Sequence, residues 1–238
     1  MDYWEYEKHF LKFPGYSKEK FQLLIKHLQL VKIANLTTNI TSINSLEQSI
    51  MLHAYDSLLG TLLVNIGEDE SFIDIGSGAG FPGIPFAVFS ERKGTLLDSI
   101  AKKAQLLKQF VGDLGLNSVL EVQALRAETY ALEQSGVYSL VLARAVGSIV
   151  ILMELASPLL RTGGILLAYK GPNTIEEIEE AKRMQDYLGM RLERIEQRTI
   201  PIEEATRILI RIEKVAEPQI MLPRAIGKAQ NKPLHIDS

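Results

Sequence analysis

One stretch, residues 71–85 with the sequence Ser-Phe-Ile-Asp-Ile-Gly-Ser-Gly-Ala-Gly-Phe-Pro-Gly-Ile-Pro, constrains the fold more than any other part of the chain. A short apolar run with an acidic residue precedes glycines at positions 76, 78, 80 and 83. This pattern predicts a buried strand that turns sharply into a helix, because glycine allows positive φ angles and brings bare backbone amides close to a ligand. Pro82 suits the first helical position, where no N–H is needed. The segment therefore predicts a site for a nucleotide-like ligand.

The glycines fit two classes of cofactor site. Gly78, Gly80 and Gly83 satisfy the G-x-G-x-x-G pattern of dinucleotide-binding proteins. Asp74 and Gly76, with the glycines that follow, are similar to the first motif of class I S-adenosylmethionine-dependent methyltransferases. A carboxylate beside the turn repels a pyrophosphate but helps to hold the ammonium group of S-adenosylmethionine. Asp74 thus favours the methyltransferase, and an NAD(P)-dependent oxidoreductase is the alternative.

Length and composition predict one main domain with a small appended subdomain. The 238 residues are 46% hydrophobic, which is enough for one large core. The absence of cysteine excludes thiolate metal sites, disulfides and a cysteine nucleophile, and we expect no metal site. The net charge of −3 gives no overall attraction for a polyanion, so an RNA-binding surface must be local. No apolar stretch reaches the roughly 20 residues of a membrane helix. We therefore expect a cytoplasmic protein that binds no membrane.

The hydrophobic pattern changes near residue 70. Apolar residues recur at helical spacing in residues 17–36 and 44–63, which predicts a helical cap subdomain over residues 1–66. Apolar runs then alternate with helical stretches, as in a parallel sheet covered on both faces. The predicted strands are 71–75, 94–98, 119–123, 138–143 and 164–170, the predicted helices 82–90, 101–114, 127–134, 148–160 and 174–188, and the last strand pair 191–199 and 206–215. Residues 67–238 are therefore predicted to form a doubly wound, Rossmann-like α/β sheet, mostly parallel with an antiparallel terminal strand, packed with the cap as one unit.

Polar residues follow the predicted strands, at the edge where open α/β sheets bind ligands. Asp98 comes twenty positions after Gly78, the spacing at which an acidic side chain meets the ribose of a nucleoside, and capping the next helix is its alternative role. Glu128 follows the third strand, where it lies near an adenine or simply begins a helix. Arg144 ends the fourth strand and is predicted to position the substrate. Lys170 ends the fifth strand and is a candidate phosphate contact.

The residues after the fourth strand restrict the acceptor. The segment Ala143-Arg-Ala-Val146 lacks the Asn/Asp-Pro-Pro-aromatic tetrapeptide typical of exocyclic amine methylation. Methylation of a pyrimidine carbon needs a nucleophile such as cysteine, and the chain has none. Guanine N7 carries a lone pair and no proton, so its methylation needs alignment rather than a general base. The missing acid/base pair is consistent with that acceptor.

Taken together, these segments resemble one family, the bacterial 16S rRNA guanine-N7 methyltransferases, also called glucose-inhibited division protein B. The matching segments occur in order along nearly the whole chain: Asn35-Leu-Thr37, His53 with Asp56-Ser57, Asp74 to Pro85, Leu96 to Ser99 with Lys102-Lys103, Arg144-Ala145, Lys170-Gly171 and Pro223 to Leu234. Two departures stand out. The usual serine before the strand-4 arginine is Ala143, and the tail lacks one lysine and one proline of the family pattern.

The resemblance implies a class I methyltransferase fold and N7 methylation of one guanosine in the decoding-region loop of 16S rRNA, with S-adenosylmethionine as methyl donor. By position it implies cofactor contacts at Gly76, Phe81, Ala127, Glu128 and Arg144, with Asp98 at the ribose. The implied substrate residues are Asn35, His53 and Asp56, although His53 also lies on an apolar helix face and fits a packed core histidine equally well. In the tail, Arg224, Lys228 and Lys232 are candidate phosphate contacts.

The implied partner is 16S rRNA or the small ribosomal subunit, and we expect a monomer. A non-catalytic RNA-binding or ribosome-assembly factor with the same fold remains an alternative to the enzyme.

Overall fold

Seven strands form one sheet in the computed structural model, which describes residues 3–64, 67–202 and 205–235. The strands are β1 (Phe72–Ile75), β2 (Gly94–Leu97), β3 (Leu120–Gln123), β4 (Tyr138–Arg144), β5 (Leu160–Lys170), β6 (Met190–Thr199) and β7 (Thr206–Lys214), in the spatial order β3-β2-β1-β4-β5-β7-β6. β1 to β5 pair in parallel, and β7 runs antiparallel to both β5 and β6. The predicted doubly wound sheet is confirmed. β7, the last strand in the sequence, lies between β5 and β6 and not at the edge of the sheet. The strand order reverses between β1 and β4, where such sheets bind ligands.

Helices cover the sheet at the five predicted positions, with small shifts at their ends, and one further short helix, Lys228–Asn231, was not predicted. They are α4 (Gly83–Ser90), α5 (Ala101–Asp113), α6 (Ala127–Ala131), α7 (Ile149–Ala156), α8 (Ile175–Leu188) and α9 (Lys228–Asn231). The prediction that Pro82 is the first helical residue is wrong by one position. α4 begins at Gly83, whose N–H donates to the Asp74 carboxylate at 2.9 Å, so Asp74 caps the helix start. Within the described ranges, no helix is both long and apolar enough to cross a membrane.

The amino-terminal cap is helical, as predicted. It contains a 3₁₀ helix (Tyr3–His9), α1 (Lys18–Thr38), and a continuous run of α2 (Leu46–Ser49), a π-helical turn (Ile50–Tyr55), α3 (Asp56–Leu58) and a second 3₁₀ turn (Leu59–Leu62). Ser17 caps α1 by accepting the Lys20 N–H at 3.2 Å. The π-helical turn is the irregular part of the cap, and such turns are frequent at functional sites.

Side chains alternate between the two faces of the sheet, as the strand period of two requires. One face, with Phe72, Leu142 and Leu167, packs against the cap, α4 and α5 in one hydrophobic core. The other face, with Ile73 and Val141, packs against α6, α7 and α8 in a second core. The predicted boundary between residues 66 and 67 adjoins residues 65–66, which lie outside the described residues, and it stays a prediction.

Gly60 brings the cap and the sheet together. A Cβ atom at this position would come within 2.0 Å of the Tyr169 hydroxyl oxygen, so only glycine fits. The Tyr169 hydroxyl donates to the Ser57 carbonyl at 2.7 Å. The close packing fixes the cap over the carboxyl ends of β4 and β5.

Candidate functional site

Two cavities open on either side of the point where the sheet order reverses. The first, the glycine-loop cavity, is lined by Ile75, Gly76, Leu97, Ser99, Leu125, Arg126, Ala127, Glu128, Val146, Leu155 and Gln230. The second, the arginine cavity, is lined by Ile43, Leu52, His53, Arg144, Ala145, Tyr169, Lys170, Gly171 and Arg207. Ala145 lines the arginine cavity and its neighbour Val146 lines the glycine-loop cavity, so the backbone at these two residues forms the wall between the cavities.

Gly76 shapes the first cavity. Its φ angle is +70°, which is the left-handed region that glycine adopts without strain. A Cβ atom there would lie 2.7 Å from Val146 Cγ2, so a side chain at this position would fill the approach to the loop. The bare backbone predicted from the sequence is therefore present.

The two predicted ribose and adenine carboxylates lie beside this cavity. Asp98 accepts the Gly78 N–H at 3.0 Å and the Ile100 N–H at 2.8 Å, so it holds the glycine loop and caps the start of α5. Glu128 lines the cavity and accepts the Gly227 N–H at 2.8 Å. Ala127 lines the cavity with it. Asp98 and Glu128 therefore each lie at the start of a helix and next to the cavity.

Two of the predicted cofactor residues lie beneath the loop instead of in the cavity. Asp74 has no exposed surface, and burial raises the pKa of its carboxyl to about 7. Phe81 is 5% exposed and stacks on the His53 ring at a centroid distance of 4.5 Å. Asp74 Oδ2 accepts the Gly83 N–H at the start of α4, whereas Oδ1 is buried with no hydrogen-bond partner among the described residues. A contact between this carboxylate and the ammonium group of the ligand stays a prediction.

His27 is a site residue that the sequence did not reveal. It comes from α1, is 1% exposed, and donates from Nε2 to the Ala79 carbonyl at 2.9 Å. Its ring lies 4.6 Å from that of Phe81, and Nδ1 has no hydrogen-bond partner among the described residues. Burial lowers the pKa of His27 to about 4, so the ring is neutral near pH 7. The cap thus fixes the glycine loop from behind.

We expect His27→Phe to remove part of the acid sensitivity of the fold. Between about pH 6 and pH 4.5 the unfolded chain holds a proton on this residue that the folded chain excludes, so the wild-type protein loses stability as the pH falls. The loss approaches about 1.4 kcal/mol per pH unit, and the variant lacks it. Urea unfolding at several pH values measures the slope. His235→Phe, at an exposed histidine, is the control, and equal slopes in wild type and His27→Phe would contradict the assignment.

Asp56 organises the arginine cavity from behind its wall. The carboxylate is fully buried and accepts from Arg144 Nη1 at 2.8 Å and from Arg207 Nε and Nη2, both at 2.7 Å. Arg144 Nη1 also donates to the Leu52 carbonyl at 3.1 Å. The cap, β4 and β7 thus meet in one ion cluster. The cavity has a volume of about 430 Å³.

His53 lies in this cavity with both ring nitrogens engaged. Nδ1 accepts from Arg144 Nη2 at 3.4 Å, and Nε2 donates to Thr41 Oγ1 at 2.9 Å. Burial, followed by the charge of Arg144, lowers the pKa of His53 to about 3. The ring is therefore neutral and a weak base. His53 thus packs against Phe81 and also lines the arginine cavity, and its role at a substrate entrance stays a prediction.

The remaining predicted substrate residues divide into two groups. Lys170 lines the cavity, paired with Glu177 at 2.8 Å. Asn35 lies outside the lining and braces the loop that carries Ile43, exchanging hydrogen bonds with the backbone of Thr41 at 2.9 and 3.0 Å.

The predictions for Asp56 and Arg224 as substrate contacts need correction. Asp56 has no exposed surface, because two arginines cover it. Arg224 is bound by the buried Glu154 through two hydrogen bonds of 2.6 Å. Lys228 and Lys232 lie in and just after α9, on the side of the glycine-loop cavity rather than of the arginine cavity.

The residues around the glycine-loop cavity suit a nucleoside cofactor in their chemistry. Apolar side chains of Leu97, Val146 and Leu155 line it on several sides, and the carboxylates of Asp98 and Glu128 stand at its border as acceptors for hydroxyl or amino groups. Gly76 leaves the backbone bare where a Cβ atom would intrude. This combination of apolar walls and carboxylate acceptors suits an adenosine moiety.

The polar residues that line the cavities and were not predicted from the sequence include Arg126, Arg207 and Gln230. Arg207 is 151 positions from Asp56, and Gln230 follows Arg126 by 104 positions. No local pattern reports such a distant partner. Within β7, Arg207 and Arg211 both alternate with apolar residues, so the local pattern does not distinguish the arginine of the cavity from the other one.

The chain matches a known family and known relatives. Residues 20–209 match the family model described as GidB, rRNA small subunit methyltransferase G. The curated ribosomal RNA small subunit methyltransferase G of Deinococcus radiodurans is 36% identical over 210 residues, covering 87% of this chain and 83% of the relative. The protein of the same name from Lactobacillus acidophilus is 33% identical over 240 residues, covering 97% of each chain.

Solved structures share the fold at low sequence identity. M. jannaschii TYW2, solved in complex with AdoMet, has a TM-score of 0.54 and 17% identity, over 73% of this chain and 80% of that one. Geranyl diphosphate C-methyltransferase from Streptomyces coelicolor A3(2), with a TM-score of 0.52 and 13% identity, covers 68% of this chain and 77% of that one. These likenesses confirm the class I methyltransferase fold. With the match over most of its length, the chain belongs to the rRNA small subunit methyltransferase G family of S-adenosylmethionine-dependent enzymes.

Proposed function

We propose that this protein transfers a methyl group from S-adenosylmethionine to N7 of one guanosine in small-subunit rRNA. The observation that carries the proposal is the arginine cavity, whose described lining residues include cationic side chains but no group suited to accept a proton. His53 has both nitrogens engaged and a pKa lowered to about 3, and the Asp56 carboxylate is covered by two arginines. An acceptor that must lose a proton has no partner there. Guanine N7 has none to lose.

Residues of the glycine-loop cavity would hold the cofactor in this proposal. Gly76, Ala127 and Glu128 line the cavity, and Asp98 stands at its border. The cofactor supplies a methyl group on a positively charged sulfur. In the reaction the N7 lone pair forms the new C–N bond, and the electrons of the broken C–S bond stay on sulfur. No proton moves, and the positive charge passes to the methylated base.

Arg144 and Arg207 are the proposed substrate-positioning residues. Both line the arginine cavity, and Asp56 neutralises only one of their two charges. Arg207 binds Asp56 through Nε and Nη2, and among the described residues no hydrogen bond is assigned to its Nη1. A guanidinium with a free donor suits a phosphate oxygen. The arginines would therefore hold the target nucleotide by its anionic backbone while the base faces the wall at Ala145.

The proposal extends to the partner and the setting. The substrate is 16S rRNA, free or in the small ribosomal subunit, and the protein acts as a monomer in the cytoplasm. Residues 1–66 form the cap and residues 67–238 the catalytic domain. The continuous core between cap and sheet supports their action as one unit.

A labelling experiment tests the acceptor. Purified protein is mixed with methyl-tritiated S-adenosylmethionine and either naked 16S rRNA or small subunits that lack the modification. We expect label at one guanosine, located by borohydride reduction and aniline cleavage, which cut RNA at N7-methylguanosine. Label at another atom overturns the N7 assignment, and no label with either substrate overturns methylation of this RNA.

Calorimetric titration distinguishes the methyltransferase from the NAD(P)-dependent oxidoreductase. S-adenosylhomocysteine should bind to a methyltransferase and NAD should not.

A further inference from the structure

The carboxyl-terminal segment lies across the glycine-loop cavity. Its residues 224–232, here called the strap, begin at Arg224, whose Nε and Nη2 donate to the two carboxylate oxygens of Glu154, both at 2.6 Å. Glu154 is on α7 and is 2% exposed, so the pair is largely removed from water. Nη2 of the same guanidinium donates to the Lys232 carbonyl at 3.0 Å. One arginine therefore ties together both ends of the strap.

The middle of the strap touches the cavity through weaker contacts. The Gly227 N–H donates to Glu128 Oε1 at 2.8 Å, and Arg126 Nη1 donates to Gln230 Oε1 at 3.2 Å. Gln230 lines the cavity although it is itself an exposed residue. Ala229 is the buried side chain of this part of the strap. Segments held by few buried groups and by exposed hydrogen bonds open at low free-energy cost.

The space beneath the strap is small. The glycine-loop cavity has a volume of about 60 Å³, against about 430 Å³ for the arginine cavity. A volume of that size holds about two water molecules, at roughly 30 Å³ each. Pockets for small-molecule ligands begin at about 300 Å³. With the strap in this position the cavity does not accommodate an adenosine.

We propose that the strap is a lid on the cofactor site. The Arg126–Gln230 and Glu128–Gly227 contacts open to admit the cofactor, and the strap then covers the ligand from a position farther out than the one in this structure, with Gln230 as the side chain facing the ligand. The Arg224–Glu154 pair stays closed and acts as the hinge. This inference rests on the proposed assignment of the glycine-loop cavity to S-adenosylmethionine. It also explains why Arg224 is bound to a buried carboxylate instead of facing solvent.

The rate of cofactor binding tests the lid. Surface plasmon resonance with immobilised protein gives the association and dissociation rate constants of S-adenosylhomocysteine. Gln230→Ala removes one hydrogen bond that keeps the strap closed, so we expect both rate constants to rise about 2- to 12-fold, the equivalent of one net hydrogen bond. Gln219→Ala makes the same change at an exposed residue upstream of the strap and should leave both constants unchanged. Equal constants in the two variants would overturn the lid.

Trypsin gives a second readout that does not depend on catalysis. Cleavage after Lys228, followed by mass spectrometry of the fragment beginning at Ala229, reports how often the strap opens. We expect Gln230→Ala to be cut faster than wild type and saturating S-adenosylhomocysteine to slow the cut. If the ligand instead accelerates cleavage, the strap is displaced on binding and the lid is refuted.

A third variant separates failure of the lid from failure of the cavity assignment. Ala127→Leu adds volume inside the cavity, at a residue with 6% exposure, and leaves the strap sequence intact. We expect it to weaken S-adenosylhomocysteine binding in calorimetry by at least tenfold, the order expected for overpacking a filled site. Wild-type affinity in this variant would show that the cofactor binds elsewhere, and the proposal would fall with the assignment.

Discussion

Arg144→Lys is expected to lower the rate of methyl transfer about 100-fold, the order of the loss that misplacing a reacting group by about 1 Å produces. Lysine keeps the charge but not the planar fork, and the fork is what reaches Asp56, the Leu52 carbonyl and His53 together. Initial rates of tritium transfer to rRNA measure the effect. Arg191→Lys makes the same change at an exposed, ion-paired arginine of β6 and should retain full activity.

The same variant tests whether Arg144 contacts the cofactor in the glycine-loop cavity or the RNA in the arginine cavity. The sequence resemblance implies a cofactor contact, whereas the structure places the side chain in the arginine cavity. We therefore expect calorimetry to give a nearly unchanged affinity for S-adenosylhomocysteine while kcat/KM for the RNA falls. If the affinity falls as much as the rate, Arg144 acts on the cofactor. Activity above half of wild type would contradict a positioning role altogether.

Asp56→Asn is expected to produce the largest loss of stability, about 3–5 kcal/mol in the free energy of unfolding. The buried carboxylate is the shared partner of two arginine side chains that are 12% and 20% exposed, and an amide cannot compensate their charges. Urea unfolding followed by circular dichroism measures the change. Asp113→Asn, at an exposed carboxylate, is the matched control.

A companion variant separates charge compensation from packing around Asp56. Arg207→Met removes one cation and leaves the Asp56–Arg144 pair intact, so its loss of stability should be smaller than that of Asp56→Asn. A loss below about 1 kcal/mol in Asp56→Asn, within the range of an exposed ion pair, would show that water reaches the cluster.

The sheet and its helices could be predicted because their signals are local. The apolar run before Gly76 and the alternation of strands with helical stretches each depend on neighbours within a few residues. Position relative to the sheet edge indicated that Glu128, Arg144 and Lys170 lie at cavities, since carboxyl ends of parallel strands meet at one edge. Gly76 and Ala127, which the resemblance implies as cofactor contacts, also line a cavity, and the roles of all five residues stay predictions.

The orientation of polar side chains could not be predicted in the same way. Whether Asp74 faces a ligand or caps a helix depends on where α4 starts, a one-residue difference between Pro82 and Gly83. Arg224 reads as an exposed basic residue until α7 brings Glu154 to it across 70 positions. His27 lies on the apolar face of α1, and nothing in that pattern indicates the Ala79 carbonyl. Long-range hydrogen bonds decided the positions of Arg224 and His27, and the start of α4 decided that of Asp74.

The ion cluster around Asp56 also bears on how the chain matures during synthesis. Asp56 belongs to the first quarter of the sequence, and its partners follow 88 and 151 residues later. At about 5–20 residues per second, the second partner leaves the ribosome about 8–30 s after Asp56. Until β7 is made, the cap has a carboxylate with at most one of its two arginines. The arginine cavity therefore forms only after β7 has been made, and a nascent chain that stops before residue 207 has the cofactor loop but an incomplete arginine cavity.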